Sequence, residues 1–159
     1  QSLNFLQLAL GITLLGNALS SGLKQSVSRA VVRTIFSLFA MFLTIAAIVP
    51  TDPIENIQLR LAVYTPLGLI HAGAVVLFLA VSPVGIHRLA AIFSTEPKYA
   101  KYSATTKIVG YAAFITSVGW FIFFVLGIGL QYRGIFQKII AIPVLYWLTI
   151  MSYETQKSQ

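Results

Sequence analysis

Residues capable of acid–base or ligand chemistry are few in this chain, and they concentrate in the stretch 49–71. It holds two of the four acidic residues, among them Asp52, and ends on His71, one of only two histidines. An aspartate beside a histidine can orient and activate a hydroxyl group or a water molecule. Two threonines in the stretch supply hydroxyls, but neither lies in a nucleophile-elbow motif. Asp52 and His71 are therefore the candidate catalytic residues, although the sequence favours a non-catalytic protein over an enzyme.

Metal and cofactor chemistry would find few ligands here. The chain has no cysteine and two histidines, whereas a catalytic zinc ion takes three protein ligands. On one helix, His71 and His87 would lie about 24 Å apart along the axis, so they cannot bind the same metal ion. We expect no metal and no cofactor, with a single axial histidine to haem as the open alternative.

The composition indicates that lipid is the solvent for most of the chain. Hydrophobic residues make up 57% of the 159 residues and charged residues 9%, against about 25% charged in soluble domains. A chain so poor in charge cannot cover its own surface in water. The net charge of +7 does not indicate nucleic-acid binding, because the basic residues are scattered between apolar runs rather than gathered in a stripe.

Five apolar segments predict an all-α, polytopic transmembrane helical bundle. Pro50 ends the second segment, and Thr65-Pro66 is a start signal for the third, a hydroxyl N-cap followed by proline. This start places His71 near the same membrane face as Asp52. The predicted helices span 3–19, 34–49, 66–86, 108–130 and 135–153, followed by a polar tail at 154–159.

Smaller features are assigned within this plan. Gly11 and Gly16 are small residues that would allow close helix contact in the first helix. The segment 54–64 alternates apolar and polar residues and fits a short strand or an interfacial helix equally well. Pro83 and Pro143 are candidate kinks.

Basic residues predict the orientation. Eight of the eleven Lys and Arg fall on the side of the 20–33 and 83–107 connectors and the tail, and three on the other. By the positive-inside rule, loops 20–33 and 87–107 and the C-terminus are cytoplasmic, while 50–65 and 131–134 lie outside. Five spans then leave the N-terminus outside, so a sixth, upstream helix is expected in the full-length protein.

Three motifs together resemble a known family. A helix ends in Pro-Thr-Asp-Pro at 50–53, Gly-x-x-His follows at 68–71, and Gly-x-x-Gln-Lys at 134–138 opens the last helix. This pattern resembles the bacterial domain-of-unknown-function family nine-nine-eight, whose members are six-helix integral membrane proteins. The resemblance covers nearly the whole chain and implies a bacterial inner membrane. It adds Gln137 and Lys138 to the suspect residues, with Lys138 where the family usually has an arginine, so a bidentate contact is not expected there.

The predicted site is a polar cluster at the outer ends of the helices. Its candidate ligand-binding residues are Asp52, His71, Gln137 and Lys138, because ionisable groups at membrane depth either pair or serve function. A structural interpretation competes with it, in which Asp52 caps its turn and pairs with Lys138 or His71.

The favoured function is a non-catalytic membrane module. It would be an accessory subunit of a membrane complex or a binder of lipid or a small ligand, with membrane lipids and other membrane-protein subunits as partners and no nucleic acid. The alternatives are a small transporter and a membrane-embedded hydrolase that acts on a lipid at Asp52 and His71.

Overall fold

The computed structural model describes residues 2–52, 65–126 and 133–156. This part of the chain forms α-helices and one short 3-10 helix, and no strand occurs in it, so the all-α prediction is confirmed. The elements are α1 (Ser2–Ser21), α2 (Ser26–Ile48), α3 (Pro66–Thr95), the 3-10 helix Ala100–Tyr102, α4 (Ser103–Leu126) and α5 (Arg133–Gln156).

Three of the described helices, α1, α2 and α3, are long and apolar enough to cross a membrane. Large apolar side chains such as Leu10, Val84 and Ile115 are exposed on the outer surface of the helices. In lipid this exposure carries no penalty, because acyl chains are as apolar as leucine. The chain is accordingly a membrane protein. That α4 and α5 also span the bilayer, and which side each connector faces, stay predictions.

The helices reach further into the connectors than predicted. The start of α2 lies at Ser26 rather than at residue 34, and α3 continues through Pro83 to Thr95. Both extensions carry apolar residues at helical spacing, and Val32, Leu89 and Phe93 are buried by them. The boundaries predicted for these two helices were therefore wrong, because packing continues the helices beyond the purely apolar runs. The expected segment 54–64 lies outside the described residues.

The five helices pack in chain order around a common core. Each contacts the next along the chain, and α5 returns to contact α1. Trp147 of α5 is 1% exposed and belongs to the buried core. Its ring centroid is 6.2 Å from that of Phe36 on α2, and its Nε1 donates a hydrogen bond to Thr106 Oγ1 on α4 at 2.9 Å. Trp147 thus joins α5 to both α2 and α4.

Antiparallel packing sorts the polar residues to two ends. The Asp52 end comprises Val49 and Asp52 after α2 and Thr65 to His71 at the start of α3. The basic end comprises the connector between α1 and α2 and the segment from Arg88 to Lys107.

Candidate functional site

Asp52 is a buried carboxylate that holds the start of α3. It is 7% exposed. Its Oδ2 accepts a hydrogen bond from the backbone N–H of Thr65 at 3.0 Å, and its Oδ1 accepts one from the Thr65 hydroxyl at 2.6 Å. The same hydroxyl oxygen accepts the N–H of Gly68 at 3.0 Å as the N-cap of α3. The negative charge therefore lies at the positive end of the helix dipole, where it stabilises the helix.

Gly68 allows the carboxylate to approach this closely. A Cβ atom placed on Gly68 would overlap the carboxyl group of Asp52. The glycine of the Gly-x-x-His motif is thus explained by contact between the first turn of α3 and the residue that follows α2. No unusual backbone conformation is needed for this explanation.

His71 contacts the end of α2 from the second turn of α3. Its Nδ1 lies 2.8 Å from the carbonyl oxygen of Val49, the C-cap residue of α2. Because a carbonyl oxygen can only accept a hydrogen bond, Nδ1 carries the proton and is the donor of this bond. Carbonyl groups at a helix end lack intrahelical partners, so this bond satisfies one of them. His71 and Asp52 both join the end of α2 to the start of α3, each through a different partner.

Gln137 and Lys138 are the other two predicted ligand-binding residues. Gln137 and Lys138 belong to α5, but their side chains lie outside the described residues. Their part in a ligand site, and a pairing of Lys138 with Asp52 or His71, stay predictions.

Sequence reasoning missed a second buried carboxylate, at the basic end. Glu96 is 3% exposed and its Oε2 accepts the backbone N–H of Lys24 at 3.3 Å. It is the C-cap residue of α3, and Lys24 lies just before α2. A signal was available, since Glu96 is the one acidic residue in a segment with four basic ones, 87–107.

Tyr99 lies near this carboxylate and belongs to the buried core. Its ring stacks on Phe93 with centroids 5.2 Å apart, and its hydroxyl donates to the Leu19 carbonyl oxygen at 3.4 Å. Burial raises the pKa of the Tyr99 hydroxyl, and the nearby Glu96 carboxylate raises it further. Tyr99 is therefore a neutral, structural group that ties the end of α1 to the end of α3.

Two grooves of about 410 Å³ each open on the outer surface of the bundle. The first, here the α1–α5 groove, has apolar walls from residues such as Leu8, Leu15 and Leu148, and adds polar groups towards the basic end. The second, here the α3–α4 groove, contains the guanidinium group of Arg88 and the imidazole of His87. Its lining residues are Pro83, Val84, His87, Arg88, Ala91 and Phe114.

The profile of a family described as proteins of unknown function, DUF998, matches residues 1–154. The chain belongs to the DUF998 family. The resemblance noted from the three motifs is thereby confirmed. No curated protein and no solved structure matches this DUF998 chain. The family description names no activity.

Proposed function

We propose that this DUF998 protein is a non-catalytic, lipid-binding membrane module that holds an acyl chain in the α1–α5 groove. The observation that carries the proposal is the change in polarity along the groove. Its walls are leucine-rich near the middle of both helices and end in Thr149, Ser152 and Gln156 towards the basic end. A membrane lipid has the same order, an apolar chain followed by a polar head group. The volume of about 410 Å³ lies in the range of small-molecule sites.

The partners of Asp52 and His71 favour a non-catalytic role. In an Asp–His pair that activates a nucleophile, the carboxylate accepts a hydrogen bond from the imidazole. Here Thr65 donates to both carboxylate oxygens, and Nδ1 of His71 donates to a backbone carbonyl. These contacts support a structural role for both residues rather than the hydrolase alternative.

Gly11 provides a direct test, because it lines the α1–α5 groove and an added Cβ would have no described atom within 4 Å. The change Gly11→Leu should therefore fill the groove without disturbing the helices. Gly73→Leu is the matched control, since Gly73 on α3 has the same open surroundings and does not line the groove. Both proteins and the wild type would be purified in mild detergent, and the bound phospholipid counted by native mass spectrometry.

We expect wild type and Gly73→Leu to retain phospholipid and Gly11→Leu to lose it about tenfold, the equivalent of about 1.4 kcal/mol. Equal retention in all three proteins, or a wild type that holds no lipid, would contradict the proposal. Equal loss in both variants would contradict it as well, because the effect would then not depend on the groove.

A further inference from the structure

We propose that the α3–α4 groove is a separate site for an anionic phospholipid, with Arg88 binding the phosphate group and the apolar wall holding the start of an acyl chain. This site lies on different helices from the acyl-chain groove proposed above and does not depend on it.

The groove is built from one face of α3 and one residue of α4. Val84, His87, Arg88 and Ala91 are spaced three, four and seven residues apart, so they share a helix face. Phe114 of α4 completes the wall. Val84 and Phe114 are 69% and 54% exposed, so the wall offers apolar surface to the surrounding lipid.

The depth of Arg88 suits a lipid phosphate. With 30 residues, α3 is about 45 Å long, whereas the hydrocarbon core of a bilayer is about 30 Å thick. The Cα atom of Arg88 lies about 10 Å along the axis from the end of α3 at Thr95. A hydrocarbon core centred on α3 would end about 8 Å from Thr95, so Arg88 would lie near its boundary. An arginine side chain can extend from such a position to the phosphate level.

Arg88 has no acidic partner among the described residues, and the described acids at this end are already engaged. Glu96 accepts the N–H of Lys24, and Glu154 forms an ion pair with Lys101 at 3.6 Å. A charged group at membrane depth is stabilised by an opposite charge. A phosphate matches the planar, forked donors of a guanidinium group in two parallel hydrogen bonds.

His87 gives the groove a fixed polar wall beside Arg88. Its Nδ1 donates to the Pro83 carbonyl oxygen at 3.0 Å. The ring meets Tyr111 edge-on with centroids 4.6 Å apart. It also packs so closely on Gly110 that an added Cβ would lie 2.6 Å from Nδ1. Since both α3 and α4 hold the imidazole in place, the groove is ordered before any lipid enters, which lowers the entropy loss on binding.

The test compares two changes of equal charge at the basic end. Arg88→Gln removes the proposed phosphate ligand, and Lys107→Gln removes an exposed cation at the start of α4 that does not line the groove. The full chain would be titrated in detergent with phosphatidylglycerol, phosphatidylcholine or inorganic phosphate, and binding measured by native mass spectrometry. Val84→Trp is added as a third variant, because it obstructs the apolar wall and leaves His87 and Arg88 in place.

We expect wild type and Lys107→Gln to bind phosphatidylglycerol about tenfold more tightly than phosphatidylcholine, and Arg88→Gln to bind both lipids equally. Val84→Trp should weaken phosphatidylglycerol binding even though the net charge is unchanged. Equal loss of the preference in Arg88→Gln and Lys107→Gln would overturn the site, because general surface charge would then explain it. So would inorganic phosphate that competes fully with the lipid, a wild type without the preference, or a Val84→Trp variant that binds normally.

Discussion

At the residue scale, Asp52 stabilises a helix to which it does not belong. It follows α2 along the chain, yet both of its oxygens accept hydrogen bonds from Thr65, the N-cap residue of α3. Burying a carboxylate is unfavourable unless it is hydrogen-bonded. Asp52 is compensated by these two bonds and by the helix dipole. The burial of the Asp52 carboxylate is thus explained by its hydrogen bonds to the start of α3.

Gly68→Ala should lower the free energy of unfolding by about 2 kcal/mol, because the new methyl group would displace the Asp52 carboxylate and weaken charge-assisted hydrogen bonds. Gly73→Ala is the control on the same helix. Its Cβ meets no described atom within 4 Å, so it should be neutral or stabilise α3 by up to about 1 kcal/mol. Thermal unfolding in detergent micelles would measure both. Equal stability of the two variants would show that the close approach is not required.

At the element scale, α2 and α3 are linked in the same way at both ends. Asp52, after α2, accepts the backbone N–H of Thr65 just before α3. Glu96, after α3, accepts the backbone N–H of Lys24 just before α2. Each helix is therefore followed by a buried acid that bonds to the start of its antiparallel partner. This reciprocity explains why both carboxylates are buried.

Local chemistry explains which parts of this pair could be predicted. Neighbouring residues alone determine the end of α2 near Pro50 and the start of α3 at Thr65-Pro66. The sequence is therefore sufficient to predict these two helix ends. The partners of Asp52 and His71 depend on how two helices meet in space, and no spacing in the chain specifies that. The predicted start of α2 at residue 34 was wrong. The buried face of the helix includes Val32, so it continues towards the N-terminus beyond the apolar run.

The two glycines of α1 were expected to serve alike, but they have different surroundings. A Cβ on Gly16 would overlap the side chain of Phe36 on α2, whereas Gly11 faces the open α1–α5 groove. Close helix contact occurs at Gly16, whereas no described atom lies within 4 Å of a Cβ added at Gly11. Small residues permit close approach, but only the partner helix decides where it occurs.

Gly16→Ala should therefore push α1 away from α2 and lower the midpoint of thermal unfolding, with a loss of about 1–3 kcal/mol from overpacking. Gly11→Ala changes the same helix by the same group and should leave the midpoint unchanged or slightly raised. Circular dichroism of both proteins in micelles would follow the transition. A Gly16→Ala variant as stable as Gly11→Ala would indicate that the helices separate at no cost.

At the scale of the whole molecule, Trp147 connects α5 to the interior of the helical bundle. Thr106 and Trp147 are 0% and 1% exposed, and their hydrogen bond crosses from α5 to α4. Phe36 meets the same indole from α2. Helices in lipid gain little from the hydrophobic effect, so packing and interhelical hydrogen bonds hold them together. We expect the hydrogen bond between Thr106 and Trp147 to contribute strongly to holding α5 against the other helices.

Thr106→Val removes the acceptor with little change in shape and leaves the buried indole N–H without a partner. The free energy of unfolding should fall by about 1–3 kcal/mol, whereas Thr106→Ser keeps the hydroxyl and should lose less. In Trp147→Phe the donor is already absent, so adding Thr106→Val should cost little more. The coupling energy from this double-mutant cycle, measured by circular dichroism in micelles, should exceed about 0.5 kcal/mol. Additive losses would mean that the hydrogen bond does not hold α5 to α4. Packing of the indole on α2 would then hold α5 in the bundle by itself.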